Sequence, residues 1–150
     1  MTLLGIRCST KDYAFAIIEG TKSHPIVRRA ALIPFPKSYS RPQALHWFLQ
    51  EIDELLRSAD FAGVLLKGFE GRTRDKSFVE RVEHEGVAQL AAAARNLEAR
   101  RKISSTIAKD LGLKGRKHYL ETLDTSPIPD FEGQPERVQE AILVAWSALA

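Results

Sequence analysis

The stretch that most constrains the fold is FAGVLLKG, residues 61–68, which is apolar along almost its whole length. A strand with one face in water alternates polar and apolar residues, and this stretch does not. A continuous apolar strand is typical of the centre of a sheet that is covered on both faces. We therefore expect a fourth strand here, between two layers of helices.

Three further strands are predicted before this one. The stretches LLGIRCS, YAFAIIEG and PIVRRAALIPFP are rich in apolar and β-branched residues, and the turn formers STKD separate the first two. Pro34 and Pro36 close the third strand, because proline cannot donate a hydrogen bond to a neighbouring strand. These stretches predict an antiparallel meander.

Helical periodicity appears around and after the central strand. Residues 40–59 place apolar side chains on one helical face, with Ser40 as N-cap and Pro42 in the first turn. Further elements are expected as a long helix over 78–100, a short fifth strand over 101–104, short helices over 105–113 (capped by Ser105 or Thr106) and 114–123, and a last helix over 135–150.

This order of elements predicts an α/β fold. An antiparallel meander followed by parallel strands gives a mixed five-stranded sheet with helices on both faces. The 150 residues suit a single domain spanning 1–150. Cys8 is the only cysteine, which excludes an internal disulfide and a zinc site built from cysteines. Without a signal-like N-terminus or a long apolar span, we expect a cytoplasmic location.

The charge is unevenly distributed along the chain, although the net charge is only +3. Residues 95–117 are mainly basic and residues 119–150 are mainly acidic. Two interpretations stay open. The two segments are solvated faces of one domain, or a phosphate-facing patch lies beside an acidic segment that folds back on it.

Four blocks carry a resemblance to a known family: LGIRCSTKDYAFAIIEG, AGVLLKGFEGR, VEHEGVAQLAAAA and VQEAILVAWSAL. In this order they resemble the RuvC-like branch of the RNase H-like superfamily. More closely, they resemble a group of small uncharacterised bacterial proteins of that fold with a degenerate acidic site. The resemblance implies phosphodiester hydrolysis by two divalent metals, held by carboxylates at the ends of the first and fourth strands and on the last helix.

Cations stand at two of the positions where the resemblance implies acids. Arg7 replaces the acid of the first strand and Lys67 that of the fourth. On the last helix Glu140 keeps an acid, while Arg137 stands where a second acid is often found. A cation repels a metal ion, and arginine is never deprotonated in proteins.

The substitutions therefore predict that the two-metal site is absent and that the protein has no metal cofactor. Arg7 and Lys67 are expected to form ion pairs with the remaining acids, which are Glu140, Glu136 and Glu70. The protein is then a catalytically inactive member of the fold, a pseudo-nuclease.

Two other functions stay open. In the first, a shifted carboxylate site makes the protein a magnesium- or manganese-dependent nuclease, with Glu70, Glu136 and Glu140 as catalytic residues, drawn from a wider set that includes Glu83 and Glu85. In the second, the chain is a scaffold or regulatory subunit without nucleic-acid affinity. The resemblance is compatible with a homodimer.

The loop KGFEGRTRDK follows the central strand and is strongly basic. Ligands of α/β sheets bind outside the carboxyl ends of the strands. We therefore expect a surface that binds the backbone of a nucleic acid, or a protein partner, without cleavage. Its candidate residues are Arg7, Lys67, Arg72, Arg74 and Lys76. Phe69 either stacks on a base or packs against the sheet edge.

Overall fold

A computed structural model describes residues 1–71, 76–113 and 122–150, with residues 76 and 77 described by their backbone alone. The strands are β1 (Thr2–Cys8), β2 (Asp12–Gly20), β3 (Pro25–Pro34), β4 (Gly63–Lys67) and β5 (Ala99–Lys102). The α-helices of the described part are α1 (Arg41–Arg57), α2 (Lys76–Ala93), α3 (Ser104–Asp110) and α4 (Glu136–Trp146), and a short 3-10 helix spans Phe131–Gly133.

The strands form one mixed five-stranded sheet in the order β3-β2-β1-β4-β5. The pairs β1–β2 and β2–β3 are antiparallel, and the pairs β1–β4 and β4–β5 are parallel. All five residues of β4 are buried, as expected for a strand covered on both faces. The predicted α/β fold, a meander followed by parallel strands, is confirmed.

Alternate residues of the strands feed two hydrophobic cores, because successive side chains of a strand point to opposite faces. Leu4 and Leu66 pack with Phe48 and Ile52 of α1 on one face. On the other face, buried side chains of the strands pack with those of α3 and α4, among them Leu3, Leu65, Ile107 and Ile142. Within the described ranges, no helix is long and apolar enough to cross a membrane.

The start of α1 follows the prediction. The Ser40 hydroxyl accepts a hydrogen bond from the backbone N–H of Gln43, and the Gln43 side chain accepts one from the backbone N–H of Ser40. Pro42 lies in the first turn. This reciprocal pair satisfies two donors that the helix itself leaves free.

Several predicted boundaries are wrong, and the last helix ends at Trp146 rather than at residue 150. Helix α2 ends at Ala93 rather than at residue 100, because Asn96 adopts a left-handed conformation (φ 57°) that reverses the chain. Residues 99 and 100 therefore join β5. Helix α3 begins at Ser104, and its N-cap Ile103 makes no side-chain capping bond. The helix predicted over 114–123 falls almost entirely outside the described residues.

The last helix lies directly on the sheet at Gly5. A Cβ atom at this position would collide with the carbonyl oxygen of Ala141 and lie 3.0 Å from the Cβ of Ala145. Glycine in β1 thus permits a close approach of α4. Since Glu140 precedes Ala141, this contact brings an acidic side chain to the end of β1.

Candidate functional site

Three adjacent parallel strands carry a cation at the carboxyl end. The register pairs Ile6 with Leu66, and Arg7 and Lys67 follow that pair on β1 and β4. Lys67 in turn pairs with Lys102, the last residue of β5. We refer to this row of Arg7, Lys67 and Lys102, together with Arg81 of α2, as the strand-end surface.

Each of the three strand-end cations has its own acidic partner. Arg7 Nε lies 2.6 Å from Glu140 Oε2, Lys67 Nζ lies 2.5 Å from Glu70 Oε2, and Lys102 Nζ lies 2.8 Å from Asp110 Oδ2. The prediction that Arg7 and Lys67 pair with the remaining acids is confirmed for Glu140 and Glu70.

The predicted involvement of Glu136 in these ion pairs is wrong. Glu136 is exposed in the first turn of α4 and forms no ion pair with any described residue. Its neighbour Arg137 instead binds the turn between β1 and β2, with Nη1 2.7 Å from Asp12 Oδ2. Glu140 lies one helical turn further along and faces the sheet, so it reaches Arg7.

The three strand-end side chains are unusually buried for cations. Their exposed fractions are 17% for Arg7, 6% for Lys67 and 10% for Lys102. Lysine and arginine are almost never buried this far without a partner. Arg7 also donates from Nη1 to the carbonyl oxygen of Cys8 at 2.9 Å and to the hydroxyl of Ser9. These contacts attach the turn after β1 to the same guanidinium.

Glu70 supports two elements at once. Its Oε2 accepts a hydrogen bond from Lys67 of β4. The same oxygen accepts two from Ser104 of α3, one from the backbone N–H at 3.2 Å and one from the hydroxyl at 2.6 Å. Burial acts to raise the pKa of Glu70, but the hydrogen bonds from Lys67 and Ser104 outweigh it and hold the pKa below its usual value. The carboxylate is therefore ionised and already engaged by protein donors.

Glu85 of α2 is engaged in the same way. It is buried and accepts a hydrogen bond from Arg101 Nε at 2.7 Å. Arg101 also donates to the carbonyl oxygen of Phe69 at 3.0 Å. A Cβ at Gly68 would lie 2.9 Å from the Arg101 side chain, so glycine leaves room for this guanidinium.

Cys8 lies beneath this part of the surface and is 1% exposed. Burial, and then the negative charge of Glu85, raises the pKa of the Cys8 thiol well above its ordinary value. A thiol in that state is a poor nucleophile. Cys8 therefore fills the hydrophobic core.

Arg81 differs from the other cations of the surface. Among the described residues its guanidinium has no hydrogen-bond or ion-pair partner, and its Nε is buried. It lies over the ring of Phe69 at 4.6 Å, and Phe69 also packs against Phe78. Burial, and then the nearby charge of Arg7, lowers the pKa of Arg81, but an arginine stays charged in proteins. Arg81 therefore supplies positive charge that no carboxylate in the described part of the chain binds directly.

The acids considered for a shifted metal site do not assemble. In the described parts of the chain, no three histidine, cysteine, aspartate or glutamate residues form a group that could hold a metal ion. Glu83 pairs with Arg41, whereas Glu70, Glu85 and Glu140 pair with the cations already named. Each of these carboxylates is thus engaged by a different cation.

His84 joins α2 to the turn after β1. Its Nδ1 lies 2.8 Å from the carbonyl oxygen of Ser9, and its Nε2 lies 3.1 Å from Arg41 Nη2. Arginine only donates, so Nε2 accepts and Nδ1–H donates to Ser9. Burial is the main cause that lowers the pKa of His84, which favours this neutral form. Its ring stacks on Phe35 at 4.4 Å.

The predicted nucleic-acid-binding residues lie in different parts of the chain. Arg7 and Lys67 lie side by side on the strand-end surface. Arg72 and Arg74 fall outside the described residues, and Lys76 begins α2. Sequence reasoning missed Lys102 and Arg81. Lys102 was detectable from its place in the fifth strand, and Arg81 from its helical spacing to Glu85.

The whole fold is similar to solved structures of Holliday junction resolvases. A structure of Thermus thermophilus RuvC has a TM-score of 0.78 at 11% identity, covering 98% of this chain and 92% of that one. RuvC of the same organism in complex with a Holliday junction substrate has a TM-score of 0.74 at 10% identity, covering 98% and 91%. The yeast mitochondrial Holliday junction resolvase has a TM-score of 0.67 at 13% identity, covering 97% and 76%.

These likenesses define the class of fold. The chain has the RNase H-like fold. Within that class it has the RuvC-like arrangement, as the resemblance in the sequence predicts. No protein-family model and no curated protein sequence matches the chain.

Proposed function

We propose that the protein binds the phosphate backbone of nucleic acid through the strand-end surface and does not cleave it. The observation that carries the proposal is the row of cations at the ends of β1, β4 and β5, each paired with an acid. The ammonium and guanidinium groups provide the positive charge that the carboxylates require. A metal ion is therefore not needed to balance the charge of these carboxylates.

Electrostatics argue against a divalent ion beside these cations. Two unit charges about 4 Å apart interact by about 4 kcal/mol at an effective dielectric of about 20, and a dication doubles that repulsion. The acid nearest to Arg7, Glu140, is already neutralised by it at 2.6 Å. Recruiting Glu140 to a metal would leave Arg7 unpaired in a mostly buried position.

Binding of nucleic acid is supported by charge and by fold. Arg81 has no carboxylate partner among the described residues, and the sequence adds Arg72, Arg74 and Lys76 shortly after β4. Contacts from such cations to phosphates supply affinity without reading the sequence. One of the similar RuvC structures was solved in complex with a Holliday junction substrate.

The test measures binding and cleavage in parallel. Fluorescence anisotropy with labelled junction, duplex and single-stranded DNA and RNA is recorded at about 50 mM and 200 mM salt. Each reaction is repeated with magnesium or manganese and run on a denaturing gel. We expect affinity that falls steeply with salt and uncut nucleic acid throughout.

Variants separate the alternatives. Arg72→Ala with Arg74→Ala is expected to weaken binding to all nucleic acids, whereas Arg28→Ala, on the exposed face of β3, is the matched control. Affinity that does not respond to salt would exclude backbone recognition. Metal-dependent cleavage that is lost in Glu70→Gln or Glu140→Gln would establish the nuclease alternative.

The single domain, the homodimer, the absence of a cofactor and the cytoplasmic location stay predictions.

A further inference from the structure

A cavity of about 560 Å³ opens beside the strand-end surface, next to the turn that joins β1 to β2. Its lining comes from the end of β1, that turn, α2 and the start of α4. The described residues that line it are Arg7, Ser9, Thr10, Lys11, Asp12, Arg81 and Arg137. We refer to it as the cationic cavity.

The charges of this lining favour an anion. Four of the lining residues are cations and one, Asp12, is an acid. Arg137 neutralises Asp12 at 2.7 Å, and Glu140 neutralises Arg7 from outside the lining. Lys11 and Arg81 have no acidic partner among the described residues. The cavity therefore carries about two unbalanced positive charges, which matches a phosphate group.

A second cavity, of about 590 Å³, lies on the other side of the same turn. Thr10, Lys11 and Asp12 line both cavities, so the two adjoin directly. The remaining described residues of its lining are Pro34, Phe35, Pro36, Lys37, Tyr39, Arg41, Ala44 and Glu80. We refer to it as the aromatic cavity.

The aromatic cavity presents an available ring. Phe35 is buried and already stacks on His84, so its ring is occupied by the protein. Tyr39 is exposed, and none of the described aromatic or cation–π contacts involves its ring. Rigid prolines flank it, and Lys11 and Lys37 are cations of the lining. Arg41 also lines the cavity but pairs with Glu83, and Asp12 and Glu80 are the acids of the lining. An exposed ring beside cations is the arrangement with which proteins stack an unpaired base.

We propose that the two cavities together bind one phosphate and the adjacent unpaired base of a single-stranded nucleic acid. The phosphate lies in the cationic cavity against Lys11 and Arg81, and the base stacks on Tyr39. A base within a duplex is paired and stacked, so it does not reach Tyr39. This inference rests on the proposed function and narrows it to single-stranded segments.

The experiment compares one sequence in two forms. A labelled single strand of about 12 nucleotides and the duplex of the same sequence are titrated with the full chain at about 50 mM salt. The single strand is expected to bind at least tenfold more tightly. Tyr39→Ala is expected to weaken single-strand binding about five- to tenfold, since stacking of one base contributes in this range. It leaves duplex affinity unchanged.

Matched controls separate stacking from loss of structure. Ile26→Ala removes another exposed apolar side chain, on β3, and is expected to leave both affinities unchanged. Lys11→Gln removes a cation that lines both cavities and is expected to weaken single-strand binding severalfold, while Arg28→Gln has no effect. Thermal unfolding of each variant shows that it is folded.

The outcomes distinguish the two proposals. Equal affinity for the two forms, or a Tyr39→Ala variant with unchanged single-strand affinity, overturns the single-strand inference and leaves backbone binding standing. The absence of salt-sensitive binding to either form overturns both. Selective loss of single-strand affinity in both Tyr39→Ala and Lys11→Gln supports the inference.

Discussion

The ion pairs at the strand ends and those on the outside of the sheet use the same side-chain chemistry in different surroundings. Arg7 and Lys67 are mostly buried where they meet Glu140 and Glu70. On β3, by contrast, the side chain of Arg28 is 60% exposed where it meets Glu19. Arg100 of β5 is 55% exposed beside Glu98.

This difference in burial determines how much each ion pair contributes to the free energy of unfolding. An exposed pair gains little because water and salt screen it. Removing one partner of a buried pair leaves an uncompensated charge in a poorly hydrated place, which is strongly destabilising. The ion pairs at the strand ends are therefore expected to stabilise the fold, whereas the exposed pairs on β3 and β5 contribute little to its stability.

The largest expected effect is at Arg7. We expect Arg7→Ala to lower the free energy of unfolding by about 2 kcal/mol, because it leaves Glu140 unpaired and removes the bonds to Cys8 and Ser9. Urea unfolding measures it, with Arg28→Ala as the exposed control. A double-mutant cycle with Glu140→Ala isolates the pair. A coupling energy near zero would show that the pair does not stabilise the fold.

The next largest loss of stability is expected at Lys102. Lys102→Met keeps the apolar stem but removes the bonds from Nζ to Asp110 at 2.8 Å and to Ser147 at 3.1 Å. We expect a loss of about 1 kcal/mol, since bonds to charged groups are stronger than neutral ones. Arg100→Met, two residues earlier on β5, is the matched control and is expected to leave the urea midpoint unchanged. Equal shifts for both variants would contradict the role of burial.

A smaller effect is expected from pH, through His84. The folded state lowers the pKa of His84 below its ordinary value of 6.5. The unfolded chain therefore binds more protons as the pH falls below that value, and stability decreases. Urea midpoints between about pH 7.5 and pH 5 measure this loss.

The neighbours of His84 make the experiment specific. Arg41 opposes the charged form, and Glu80 and Glu83 favour it, but burial dominates. His84→Asn is expected to flatten the dependence, because asparagine donates a hydrogen bond without titrating. His46→Gln, at an exposed position of α1, is the control and keeps the dependence. An unchanged slope in His84→Asn would assign the titration to another group.

The smallest expected effect concerns Glu19 and Glu70, two glutamates whose pKa values are both lowered. The hydrogen bond from Arg28 is the main cause at Glu19, whereas at Glu70 the bonds from Lys67 and Ser104 outweigh burial. A lowered pKa contributes stability above the ordinary value of 4.5, which is lost as the pH falls below it.

At pH 7 and about 1 M salt, Glu70→Gln is expected to stay destabilised by less than about 1 kcal/mol, because the carboxylate is partly exposed. Glu19→Gln is expected to match the wild type under the same conditions. Urea midpoints compare the two variants. If Glu70→Gln had the urea midpoint of the wild type at this salt concentration, the Lys67–Glu70 pair would be screened in the same way as the exposed pairs.

Much of the fold was predictable from the sequence, because it depends on local patterns. The apolar run at 61–68 indicated a central strand, and all five residues of β4 are buried. The capping box at Ser40 was predictable from the residue types. The end of α2 was not, since alanine-rich sequence favours helix, while the left-handed turn at Asn96 and pairing with β4 overrode that preference.

By itself the sequence determined the order of the elements and the presence of cations where the resemblance implies acids. Arg7 and Lys67 were identifiable because each ends a recognisable apolar strand. Only the tertiary structure decided which acid meets which cation, since Glu140 lies 133 residues from Arg7 and reaches it through the close contact of α4 with Gly5. Burial and side-chain direction depend on packing between distant segments, and a linear pattern carries no record of those distances.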